Sequence, residues 1–222
     1  MVNTDFSGPI GSATKLNTKN NVVWSTDREE ALELLEYPEE KFGFNVMVWG
    51  GLCWKGLVPS DSPIFVPDLK ESCRAAGVQL GAKGGINSAA YCHMLREMVA
   101  PEVFRIMGPR HIFQDDGAKI HRTAVAKQTV AELFTERLDP DQQANKMADC
   151  WCVENLWGIL TQRVKERQPT AADLYTIIVE EWIKIDQDKE LIKKMMKSMP
   201  KRFDAVRRLG GRQITKADYE HE

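Results

Sequence analysis

Two acidic residues, Asp116 and Glu154, stand where a cation-dependent phosphoryl-transfer site needs them. Asp116 follows the β-prone run His111-Ile112-Phe113-Gln114, with Gly117 beside it to leave room for a ligand. Glu154 falls on the first turn of a helix whose apolar stripe is Val153, Leu156, Trp157, Leu160 and Val164. Hard cations such as magnesium prefer carboxylate oxygen, and two of them about 3.5–4 Å apart clamp the attacking and leaving oxygens of an in-line displacement. Taken alone, either acid is more often an ordinary turn residue or a charge complementing a helix N-terminus than a ligand. His121, five residues after Asp116, reads as a neighbour of the site or as a helix-start histidine with a local hydrogen bond. Cys150-x-Cys152 lacks a second pair and reads as packed thiols rather than a metal site.

The elements that must carry these residues follow from periodicity and punctuation. Short β-prone runs at Asn21–Trp24, Val46–Trp49, Gly56–Val58 and Ile64–Val66, separated by Gly, Pro, Ser and Asp, predict neighbouring antiparallel strands. Thr26 with Glu29 fits a capping box for a helix over Thr26–Glu36. From Asn87 the period becomes helical: Tyr91, Met94, Leu95 and Met98 share a face behind an Asn87/Ser88 cap, with an end predicted near Pro101. The strand at His111–Gln114 follows, expected to lie inside the sheet and parallel to the first. Beyond it the chain reads as helix, with a second stripe at Leu174, Ile177, Ile178, Trp182 and Ile185. A further helical region starts at about Lys189, is interrupted at Pro200 and ends at Gly210-Gly211. The layout is α/β, a mixed sheet flanked by helices with a helical C-terminal part from about residue 169.

Composition narrows the class. With 222 residues, 43% apolar and 28% charged, one globular domain over 1–222 is expected, and disordered, collagen-like and disulfide-scaffold chains are excluded. No apolar stretch reaches the roughly 18 residues of a membrane span, so no membrane partner is expected. Five scattered cysteines fit reduced thiols in an intracellular compartment. The net charge is −2, but between Lys193 and Lys216 nine basic residues face one acid, Asp204. That tail is either a surface for a polyanion or a solvated helix face complementing the acids before it.

Four segments in order, VMVWGG (Val46 to Gly51), IFQDDGAKIHRTA (Ile112 to Ala124), VENLWGIL (Val153 to Leu160) and SMPKRFDAVRRLGG (Ser198 to Gly211), resemble the catalytic domain of mariner-type DDE transposases. The resemblance covers nearly the whole chain and implies a ribonuclease-H-like fold. It puts the second catalytic aspartate at Asp116, with Asp115 in place of a glutamine, and the third carboxylate at Glu154, with 37 residues between Asp116 and Glu154. It makes Asp5 the candidate first ligand, twelve residues before Asn17 in Asn17-Thr18-Lys19-Asn20; a rival register sets Val2–Phe6 on the family's DE-x-x-F and leaves no first aspartate. MADCWC (Met147 to Cys152) departs from the family's proline-rich turn and keeps only Asp149.

On this resemblance Asp5, Asp116 and Glu154 hold two magnesium or manganese ions. His121, Lys201, Arg202, Arg207 and Arg208 meet DNA, a homodimer is possible, no small molecule is a substrate, and the location is nuclear. The family's N-terminal helix-turn-helix region has no counterpart, which implies a truncated or decayed DNA-processing domain. The alternatives are a DNA-binding or interaction remnant that no longer cuts, and an unrelated α/β protein with solvated acids.

Overall fold

The computed structural model describes residues 1–11, 43–143 and 147–219. The strand at Asn21–Trp24, the helix at Thr26–Glu36 and the Asn17-to-Asn20 segment lie outside the described residues. β1 (Val2–Phe6) runs antiparallel to β4 (Val48–Cys53), with Val2 opposite Cys53 and Asp5 opposite Gly50. On its other side it runs parallel to β7 (Ile112–Gln114), Val2 level with Phe113 and Asn3 with Gln114. β5 (Gly56–Val58) and β6 (Ile64–Phe65) pair with the far side of β4, and β8 (Glu136–Arg137) runs parallel to β7. The strand order is β5-β4-β1-β7-β8, so β7 is interior and parallel to the first strand, as expected. β2 (Ile10–Gly11) and β3 (Asn45–Val46) form a separate ladder.

Alternation along the strands divides the core into two layers. Val2, Trp49, Cys53, Val58 and Phe113 face α1 (Val66–Ala75), α2 (Ser88–Met94), α3 (Ala100–Met107) and α4 (Ala124–Leu133). Val48, Leu52 and Leu57 face α5 (Cys152–Glu166), α6 (Leu174–Gln187) and α7 (Lys189–Arg208). The stripes predicted for α5 and α6 are the buried ones, and the buried Trp182 indole donates to Pro59 O at 2.8 Å. Gly50 permits this packing: a Cβ there would overlap the Trp182 ring and lie 3.1 Å from Trp157.

Three local expectations fail at prolines, for one reason. The helix behind Asn87, whose side chain accepts from Ala90 N at 2.9 Å, passes Pro101 instead of ending there. A π-helical turn at Leu95–Val99 takes up the missing backbone donor, and Pro101 sits in the first turn of α3. Pro200 lies inside a continuous α7; an interior proline costs about 3 kcal/mol, which burial of Met195, Met196 and Met199 before it and Ala205 after it offsets. At Pro67 the expected strand end becomes the first turn of α1. Gly210 and Gly211, at φ 66° and 82°, close α7 where expected, donating to Arg207 O and Val206 O.

Candidate active site

The parallel register of β1 and β7, carried two residues further along each, sets Asp5 level with Asp116. Asp5 accepts its neighbour's amide, Phe6 N, at 2.7 Å. Asp116 lies just past β7, where its Oδ1 accepts from Ala118 N at 3.0 Å and from His121 Nδ1 at 2.7 Å. Glu154, on the first turn of α5, lies near enough to Asp5 and Asp116 to interact with both electrostatically. The three carboxylates thus gather at one end of the sheet.

Their electrostatics express that proximity. Burial, then the charge of Asp116 and that of Glu154, push Asp5 up to about 7 against the opposing effects of the Phe6 amide and His121. Burial and Asp116 likewise raise Glu154, partly offset by its interaction with Asp5. Burial acts to raise Asp116 too, but the His121 and Ala118 hydrogen bonds, with the positive charges of His121 and Arg122, hold it below the usual carboxylate range. Among the described residues no three such side chains close to ligating distance of a single point. The donor set, three oxygen-bearing acids of which two are raised by burial and by the charge of the third, nonetheless suits a hard divalent cation.

Asn3, a residue the sequence reading passed over, ties the three elements together. Its Oδ1 accepts from Val153 N at 2.8 Å and from Cys152 Sγ at 3.3 Å, and its Nδ2 donates to Gln114 Oε1. One fully buried amide therefore joins β1, β7 and the start of α5. The departing MADCWC segment is anchored separately: Asp149 accepts Ile214 N at 3.0 Å through its side chain and Arg202 Nη1 at 3.3 Å through its carbonyl.

Other expected residues take different places. Asp115, which stands where the family has a glutamine, is buried and paired with Arg137, which binds both its oxygens at 2.7–2.8 Å, and it accepts Tyr91 OH at 2.7 Å. His121 is buried in a 3-10 turn, its ring 4.2 Å from that of Tyr91, so it orients Asp116 and does not reach a DNA phosphate. Arg202 is also buried, 5% exposed and 4.9 Å above the Tyr219 ring, a correction to its reading as a surface cation. Its inward direction was signalled by Met195, Met199 and Arg202 falling at i, i+4 and i+7. Lys201 is exposed, Arg207 pairs with Asp204 at 3.3 Å, and Arg208 donates to Asp218 O at 2.6 Å. Cys150 and Cys152 are buried free thiols pushed up to about 11 and about 12, by burial above all, which keeps them protonated. Trp151 is buried against Phe203 in the core.

A mixed sheet of this order, helices on both faces and acids at the ends of two neighbouring parallel strands and on a following helix define a ribonuclease-H-like fold. Among solved structures, the chain is similar to a Mos1 transposase paired-end complex with the left transposon end: TM-score 0.64, 17% identity, 96% of this chain and 56% of that one. The Mos1 mariner paired-end complex with Mn gives TM-score 0.63 and 15% identity over the same shares. The Mos1 transposase catalytic domain with Raltegravir and Mg gives 0.59 and 16%, covering 77% of this chain and 78% of that one. The chain therefore has the fold of a mariner transposase catalytic domain and spans little more than half the length of the paired-end-complex chains. No protein-family model and no curated protein sequence matches it.

Proposed function

We propose that this chain is a transposase-like DNA-processing domain that hydrolyses phosphodiesters and transfers strands in a metal-dependent way. The observation that supports the reading is that Asp5, Asp116 and Glu154 stand at one end of the sheet, near enough for the charges of Asp116 and Glu154 to add to the burial that raises Asp5 to about 7. Bound at these carboxylates, two magnesium or manganese ions supply Lewis-acid stabilisation of the reacting phosphate and activation of a water or a 3′-hydroxyl. The chain's own contributions follow from its contacts. Asp5, raised to about 7 and so only partly ionised at neutral pH, would lose its remaining proton as a cation binds. His121 keeps Asp116 ionised and fixes its rotamer through the 2.7 Å hydrogen bond. Asn3 fixes the separation of β1, β7 and α5, on which placement of all three acids depends. The similar Mos1 structures are complexes with a transposon end, with Mn and with Mg, which supports the same choice of substrate and cation.

Calorimetric titration with manganese tests the reading. Wild type should bind with release of protons near pH 7, and Asp116→Asn and Glu154→Gln should each weaken binding. Identical isotherms for wild type and both variants would end it.

A further inference from the structure

A groove leads away from the carboxylates. Two adjoining cavities of about 500 and 630 Å³ share Asn155, Ile159, Arg202, Lys216 and Tyr219. Glu154 lines the first, and the lysines of α7 line the second. Lys194, Lys197 and Lys201 form one wall; at 1.5 Å per residue they span about 10 Å of helix, the length of about three phosphates at a duplex rise of ~3.4 Å per strand. The acid on that side, Glu190, is paired with Lys193 at 2.8 Å. Where the cavities meet stands Arg202, more than nine-tenths buried, its Nε without a hydrogen-bond partner among the described residues. A buried guanidinium with an unused donor is costly unless an anion meets it. Across from the lysines the lining is Asn155, Ile159 and the Tyr219 ring, one face of which Arg202 covers.

We infer that this groove seats a single strand of DNA, its phosphates running past Lys194, Lys197 and Lys201 to Arg202 and its end reaching Glu154. The charge changes from basic to acidic along the groove, so a strand is attracted along its length and held at the acids only through a cation. Lysines on one wall match one row of phosphates, as a single strand presents. An aromatic beside a basic track suits base stacking without sequence preference. The inference rests on the function proposed above and replaces Arg207 and Arg208 with the groove lysines as the DNA-contacting set.

The test is fluorescence anisotropy in EDTA, with a labelled 12-nucleotide DNA strand and the matching duplex. Wild type should prefer the single strand. Lys194→Ala, Lys197→Ala and Lys201→Ala combined should weaken strand binding at least tenfold and flatten the slope of log affinity against log salt by about 2, at about 0.7 per phosphate contact. Lys70→Ala with Arg74→Ala, on α1 across the sheet, should stay within twofold of wild type. Equal or better duplex binding, a triple variant within twofold of wild type, or an equal loss from Arg207→Ala with Arg208→Ala would each overturn the groove. A manganese nicking assay separates this claim from the catalytic one. Groove-dependent strand binding by a protein that never cuts leaves the groove standing and removes the catalysis; cutting by a protein whose triple variant binds normally removes the groove alone.

Discussion

Replacing Asp5 with asparagine should make the metal-free protein more stable at pH 8 and abolish most of its pH dependence. Asp5 is raised from 3.8 to about 7, by burial first and by Asp116 and Glu154 after it. At 1.36 kcal/mol per pK unit the ionised form costs at most about 4 kcal/mol; partial access of solvent to Asp5 reduces this to about 2–4 kcal/mol. Between pH 4 and 7 the native state holds a proton that the unfolded chain has lost, so stability falls as pH rises through that window and levels off above it. Asparagine keeps the acceptor for Phe6 N and removes the charge. Urea unfolding in EDTA should therefore show wild type losing about 1–3 kcal/mol from pH 5 to pH 8, the part of the window above pH 5, while Asp5→Asn changes much less. Near pH 8 the variant should melt about 4–16 °C higher, at roughly 2–4 °C per kcal/mol for a domain of this size. Manganese should restore wild type and leave the variant little changed. Parallel stability curves for the two proteins from pH 5 to 8 would refute the reasoning.

Asn3→Ala removes the side-chain acceptor of Val153 N and the donor to Gln114 Oε1 and should cost about 2–4 kcal/mol in denaturant unfolding. Asp115→Asn strands a nearly buried Arg137 and should cost about 3–5 kcal/mol, most of which the double variant with Arg137→Met should recover. Gly50→Ala drives a methyl into the Trp182 ring and against Trp157 and should cost about 1–3 kcal/mol, visible as an earlier urea midpoint.

What the sequence showed of this architecture depended on how far each residue's partner lies along the chain. Periodicity placed α5 and α6 and chose their buried faces because i, i+3 and i+4 neighbours are local. The interior, parallel position of β7 followed from its place after the first helices. Prolines misled because the rule that they end helices is local too, whereas Pro101 is accommodated by a π turn and Pro200 by methionines packed on the core. Asp116 and Glu154 stood out through their motifs. The groups that hold them did not: Asn3 meets a helix 150 residues away, and Asp115 meets an arginine on a two-residue strand with no pattern of its own. Arg202 carried a readable signal, its phase with Met195 and Met199, which its charge concealed.

The most direct measurement is nicking of supercoiled plasmid in manganese by wild type, Asp5→Asn, Asp116→Asn and Glu154→Gln, with circular dichroism to show that each is folded. Three converging acids that act together in one site predict weak, sequence-indifferent nicking by wild type and none by any of the three variants. Nicking that survives Asp116→Asn or Glu154→Gln, or a folded wild type that does not cut, would contradict the account; nicking that survives only Asp5→Asn would place the first carboxylate elsewhere in the chain.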